Sequence, residues 1–196
     1  MLNKKTIFIT AGIFLILIIG IITMAEINKP ITASSKSIQS PNNLLKVSLE
    51  TNYGTIVIQL RSDMPITSGN FENLVKKGTY DGTIFHRVID SFMIQGGDPT
   101  GTGYGDRRIP MIKDEFKGEQ KNNRGTIAMA NAGPNTGSSQ FFINLVDNNY
   151  LDGKHPVFGD VVEGMDVVDK IAKVQTNSQN RPLQEVKILK ASILTS

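Results

Sequence analysis

Two stretches of the chain set polar donors among apolar side chains. In "FHRVIDSFMIQGGD", residues 85–98, His86, Arg87 and Gln95 stand among Phe85, Phe92 and Met93. In "GTIAMANAGPNTGSSQFFINL", residues 125–145, Asn131 and Gln140 stand among Met129, Phe141 and Phe142. A plain core strand carries neither a guanidinium nor side-chain amides. Laid side by side, the two stretches form a groove with an apolar floor and a rim of N–H donors. Such a groove suits an extended peptide, whose backbone the amides hold while the floor takes an apolar side chain. Phe141 and Phe142 are neighbours, so strand alternation sends them to opposite faces and one of them points away from the core. The same rule turns His86 away from Arg87, which makes the histidine structural.

Other chemistries find little support. The chain has no cysteine, hence no disulfide, thiol nucleophile or thiolate metal site. Its two histidines, His86 and His155, lie far apart with no ligand-spaced partner, so no metal is expected. Ser138 and Ser139 in "NTGSSQ" lack the strand–turn–helix setting of a nucleophile elbow. "GTGYG", residues 101–105, opens no helix and reads as a surface loop rather than a phosphate cradle. Of 21 basic and 18 acidic residues, Lys4, Lys5, Lys29, Lys36 and Glu26 fall within residues 1–43. What remains is 17 of each sign, so residues 44–196 are neutral and the net charge of +3 is no argument for nucleic-acid binding.

The elements that must position these residues read as mostly β. "LKVSLE" alternates Leu45, Val47 and Leu49 with polar residues, "TNYG" supplies a turn, and "TIVIQL" follows, which predicts a hairpin. Pro65 opens a helix with Phe71, Leu74 and Val75 on one face, and Gly78 ends it. Further strands are expected over 83–88, 91–95, 125–130, 140–145 and 156–161. "GMDVVDKIAKV" predicts a second amphipathic helix from Gly164, and "EVKILKASIL" a closing strand. Many short strands with two helices suggest a closed antiparallel barrel capped by helices.

The first 43 residues differ in kind. Thr6–Ala25 holds 20 residues without charge or proline. A helix of that length spans ~30 Å, the thickness of a bilayer's hydrocarbon core. Lys4 and Lys5 before it put the N-terminus in the cytoplasm and the rest outside. The span is longer than a signal peptide's apolar region, so residues 1–25 are read as a retained anchor, with secretion after signal cleavage as the alternative. Residues 26–43, "EINKPITASSKSIQSPNN", read as a flexible linker, and residues 44–196 as the globular domain.

"FHRVIDSFMIQGGD", "IAMANAGPNTGSSQFFI" and "YLDGKHPVFGDVVEGMDVVDKI" together resemble the cyclophilin family of peptidyl-prolyl cis/trans isomerases, in the family's order. The resemblance covers about residues 44–196. It implies an eight-stranded closed antiparallel barrel with a helix at each end. It makes Arg87 the catalytic residue, and has Phe92, Met93, Phe142 and Leu151 line the proline pocket. Gln95, Ala130, Asn131 and Gln140 would hold the peptide backbone, and Tyr150 and His155 would complete the rim. It implies no cofactor, proline-containing unfolded or extended polypeptides as substrates, and a monomeric isomerase domain. Many members carry tryptophan where this chain has Tyr150, a difference that weakens the expected grip on cyclosporin, a cyclic peptide the family binds. The function expected is an isomerase that assists protein folding outside the cytoplasmic membrane. The alternative is a proline-peptide-binding chaperone or tethering module with little turnover, which would have no need of a transition-state donor such as Arg87.

Overall fold

The computed structural model describes residues 45–194. It contains eight strands, β1 (Lys46–Thr51), β2 (Gly54–Leu60), β3 (Arg87–Ile89), β4 (Met93–Gly96), β5 (Thr126–Met129), β6 (Phe141–Asn144), β7 (Val157–Glu163) and β8 (Ile188–Leu194). Two α-helices accompany them, α1 (Pro65–Lys76) and α2 (Met165–Ala172). The strands form one antiparallel sheet in the order β3-β4-β6-β5-β7-β2-β1-β8. The expected span over residues 6–25 and the linker lie outside the described residues. Among the described residues no helix is long and apolar enough to cross a membrane.

The expected closed barrel is corrected to a curled sheet whose ladder stays open between β3 and β8. The gap is crossed by single bonds. Phe85 N–H donates to Val186 O and Ile188 N–H to Thr83 O, both at 2.8 Å, and Ile84 bridges both Asp98 and Lys187. The strand expected over 83–88 therefore divides, and its ladder with β4 begins only at Arg87. Gly97 is the cause. Its φ of +82° turns the chain out of β4, and a Cβ there would sit 2.7 Å from Ser139 O and Phe141 Cδ1, so only glycine fits.

Alternation builds the interior. Val47 and Leu49 of β1, Ile56 and Ile58 of β2, and Phe141 and Ile143 of β6 are all fully buried. Phe71 of α1 plugs one end, its ring 5.0 Å from Tyr80, 5.1 Å from Phe158 and 5.5 Å from Phe141. The Tyr80 hydroxyl donates to Ser139 O at 3.0 Å, which satisfies the one polar atom that this buried ring carries. Helix α1 begins at Pro65 with no side-chain cap of its own. The remote, buried Glu115 serves instead: its Oε2 accepts the N–H groups of Ile66 and Thr67 at 3.0 Å each. A carboxylate there satisfies two orphan donors and meets the positive end of the helix dipole.

Candidate active site

Residue pairing lines up the outward side chains of five strands. Arg87 pairs with Gln95, Gln95 with Phe142, Phe142 with Ala128, and Ala128 with Val157. Neighbouring strands lie ~4.8 Å apart, so Arg87 and Phe142 are ~10 Å apart across the sheet, room for a proline ring between them. Met93, two pairs further along β4 and so on the same face, joins Phe142, Ala128 and Val157 in a second apolar cluster, separate from the interior. Phe92, Ala130 and Leu151 pack around it, partly buried. Thus Phe141 fills the core and Phe142 floors an outer pocket, the division that alternation requires.

The walls of the pocket are aromatic and positive. Arg87 lies half-buried, with its Cζ 5.8 Å from the centre of the Phe92 ring. Tyr150 stacks on the other part of that wall, 6.2 Å from Phe92 with the rings 20° apart, and is 62% exposed. His155 meets Phe142 edge-on at 5.4 Å, and its Nδ1 lies 3.1 Å from Met129 O. His86, on the opposite face from Arg87, is buried and its Nδ1 has no partner. Burial holds its pKa below the ordinary histidine value, with Arg181 and Arg87 adding to the effect and Asp98 opposing it.

The rim donors are linked to one another. Arg87 Nη1 donates to Gln95 Oε1 at 3.3 Å, Gln95 Nε2 to Gln140 Oε1 at 3.0 Å, and Gln140 Nε2 to Gly103 O at 3.1 Å. Each amide keeps a second N–H for a ligand. The Asn131 side chain is turned to its own chain, since Nδ2 donates to Lys154 O at 2.8 Å and Oδ1 accepts from Gly133 N–H. Asn131 therefore offers a peptide its backbone and the second N–H of Nδ2. The Ala130 N–H is likewise committed, to Gln140 O at 3.0 Å, which leaves its carbonyl. All eleven residues singled out from the sequence line or adjoin this one outer face.

Sequence reasoning missed two parts of the site. The first is an adjoining hollow of about 470 Å³ that shares Gln95, Ala130, Asn131 and Gln140 with the rim and adds Tyr104, Arg107 and Met111. The exposed Tyr104 and Met111 within a basic loop were its only signal. The second is a buried amide network behind the aromatic wall. Asn144 Nδ2 donates to Thr126 Oγ1 at 2.9 Å and Asn122 Oδ1 at 3.2 Å. Asn148 Nδ2 donates to Asn144 Oδ1 at 2.8 Å and Phe92 O at 2.9 Å, while Asp152 Oδ1 accepts from Asn122 N–H at 2.8 Å. These bonds tie the backbone of Phe92, and the turn that carries Tyr150 and Leu151, to the floor. Among the described residues no group of acidic, histidine or cysteine side chains is placed to hold a metal.

Comparison with known proteins agrees with this geometry. The family model described as cyclophilin type peptidyl-prolyl cis-trans isomerase/CLD matches residues 46–193. Peptidyl-prolyl cis-trans isomerase-like 1 of Mus musculus is 50% identical over 157 residues, covering 78% of this chain and 92% of that protein. Peptidyl-prolyl cis-trans isomerase ppi1 of Schizosaccharomyces pombe is 48% identical over 155 residues, covering 77% of this chain and all (100%) of the other. Among solved structures, a cyclophilin-type isomerase of Cryptosporidium parvum superposes with a TM-score of 0.74 at 35% identity, covering 78% of this chain and 98% of that one. A second structure of that Cryptosporidium parvum isomerase, in the presence of the dipeptide Ala-Pro, gives 0.73 at 36% identity over 77% of this chain and 99% of that one. With an apolar pocket, a guanidinium at its mouth and a family match over nearly all of the described residues, the chain belongs to the cyclophilin-type peptidyl-prolyl cis-trans isomerases.

Proposed function

We propose that Arg87 is the catalytic group of this isomerase, acting on X–Pro bonds of extended polypeptides held across the outer face, and that the first 25 residues display the domain outside the cytoplasmic membrane. The observation that carries the catalytic assignment is the pairing row. It sets the Arg87 guanidinium at the mouth of the outer apolar pocket, two strands from the Phe142 floor.

The chemistry asks for little else. Rotation about an X–Pro bond meets a barrier of about 18–20 kcal/mol from amide resonance. No bond to a nucleophile forms, so neither a base nor a covalent intermediate is needed. In the twisted state resonance is lost and the proline nitrogen gains a usable lone pair. A fixed N–H donor at that nitrogen binds the twisted state more strongly than the planar one, which is the condition for acceleration. Arg87 spends one N–H on Gln95 and has others free to point over the pocket. Phe92, Met93, Phe142 and Leu151 grip the ring. The free N–H groups of Gln95 and Gln140, the Ala130 carbonyl and the Asn131 backbone hold the flanking chain, so one side turns against the other. The Ala-Pro dipeptide present with the Cryptosporidium parvum relative supports proline peptides as the ligand class.

Display outside the membrane rests on the 20 uncharged residues Thr6–Ala25 behind Lys4 and Lys5. The catalytic reading is tested by measuring turnover of Ala-Pro peptides by the purified protein alongside Phe142→Ala. Loss of the floor should raise KM strongly, and an unchanged KM would place the substrate elsewhere.

A further inference from the structure

We infer that Asp98 is a positioning residue for the reaction: its buried carboxylate holds the loop whose Gly103 carbonyl ends a one-way run of hydrogen bonds that begins at the Arg87 guanidinium and orients the Gln95 and Gln140 amides. The inference rests on the reading of Arg87 as the catalytic donor.

Asp98 is fully buried and has no salt-bridge partner among the described residues. Its charge is met by a loop wrapped around it. Oδ1 accepts from Thr100 N–H at 2.9 Å and Thr100 Oγ1 at 2.8 Å. Oδ2 accepts from Gly103 N–H at 2.7 Å, Gly105 N–H at 3.1 Å and Thr102 Oγ1 at 3.3 Å. The carboxylate thus fixes the Gly103 residue by its N–H, and the Gly103 carbonyl is the group that receives Gln140 Nε2.

Direction is what this arrangement supplies. A glutamine side chain has nearly the same shape when its oxygen and nitrogen exchange places, so packing alone does not choose its orientation. Its neighbours do. Arg87 can only donate, so Gln95 must present Oε1 to it and direct Nε2 onward. Gln140 must then present Oε1 to Gln95 and direct its own Nε2 to Gly103 O. The run Arg87→Gln95→Gln140→Gly103 O has an obligate donor at one end and an acceptor-only carbonyl at the other, and Asp98 fixes the place of that carbonyl through the Gly103 N–H. Each rim amide then shows a ligand the same donor on every encounter, and Arg87 is held in one rotamer above the pocket. The loop that reads from sequence as mere surface is in this account the fixed end of the catalytic rim.

The test is a double-mutant cycle in the full-length protein with Ala-Pro peptides, together with NMR of the side-chain N–H groups. In Asp98→Asn one amide nitrogen must face a donor of the loop, so the fixed end is lost. The expected result is a fall in kcat/KM of about five- to twentyfold, the size of coupling usual for residues in one hydrogen-bond network. In an Arg87→Ala background the same change should cost less than about twofold. The Gln95 and Gln140 Nε2 resonances and the Arg87 Nε resonance should shift, although they lie outside the 98–105 loop. Gln140→Leu cuts the run without touching that loop; it should show the same dependence on Arg87 and stands in if Asp98→Asn does not fold. Equal losses in both backgrounds, or NMR shifts confined to residues 98–105, would overturn the relay while leaving Arg87 in place. Full activity in Arg87→Ala alone would instead remove the underlying reading, and the relay with it.

Discussion

Replacing Arg87 by alanine removes three things that can be weighed separately. The bond to Gln95 is long, at 3.3 Å, and half-exposed, so its contribution to stability is about 1 kcal/mol. The contact of the guanidinium with the Phe92 ring, at 5.8 Å, adds about 0.5–1 kcal/mol. Together they come to about 2 kcal/mol against the ~5–15 kcal/mol of an ordinary domain, so the variant should fold. The third loss is the donor to the twisted proline nitrogen. A hydrogen bond from a charged group in a largely dry pocket is worth about 1.5–3 kcal/mol. That converts to a fall in kcat/KM of about ten- to hundredfold. Arg87→Lys should recover little, because an ammonium has no planar fork to hold Gln95 and the substrate together. The assay is protease-coupled turnover of a proline peptide, with urea unfolding of the same samples. A variant that is folded and within threefold of wild type would falsify the role given to Arg87.

Three other outcomes are expected. External protease on intact cells or spheroplasts should cut within residues 26–43 and release an active domain; protection until lysis would reverse the orientation, and a mature chain beginning at Glu26 would replace the anchor by a signal peptide. Tyr150→Trp should tighten cyclosporin binding by about five- to a hundredfold, the worth of one hydrogen bond plus added aromatic contact, with kcat/KM within a few-fold, and equal dissociation constants by calorimetry would show that Tyr150 does not stand in the tryptophan's place. His86 has a folded pKa below its ordinary value, so its contribution to stability is complete above about pH 6.5 and is lost as pH falls toward the folded pKa. Urea unfolding at pH 7.5 and 5 should show that loss in wild type and a flatter response in His86→Leu; parallel responses would mean that the proton binds elsewhere.

Much of this architecture is written in local pattern. The period of two in "LKVSLE", the glycine that follows the first helical run, the glycine that opens the second, and the opposed pair Phe141 and Phe142 each follow from neighbours in the chain. The outer pocket was legible for the same reason, because one strand displays its two faces in adjacent residues. What escaped lies in contacts between distant segments. Nothing near Pro65 announces that Glu115 will cap its helix. Asn122, Asn144 and Asn148 look like loop and strand-end residues until the fold buries them together. The division of 83–88 depends on Gly97, ten residues further on, and on its crowding by Ser139 and Phe141. For Asp98 a sequence-level signal did exist: a carboxylate followed by Thr100, Thr102, Gly103 and Gly105 is a run of short donors with free backbones, the composition of a loop that closes around an anion.

The filled interior has one more consequence. Phe71, Tyr80, Phe85, Phe141 and Phe158 leave no lumen, and the pocket lies on the outside of the curled sheet. With the substrate on that outer face, as proposed, a client chain is met from the side, like a rope laid over a cleat rather than a thread passed through an eye. No free end is required, and no length limit follows from the enzyme. A proline deep within a long chain, or in a loop of a domain already half assembled, is as approachable as one near a terminus. The limit is set by the client: its backbone must lie extended for a few residues on either side of the ring, and one flank must be free to swing.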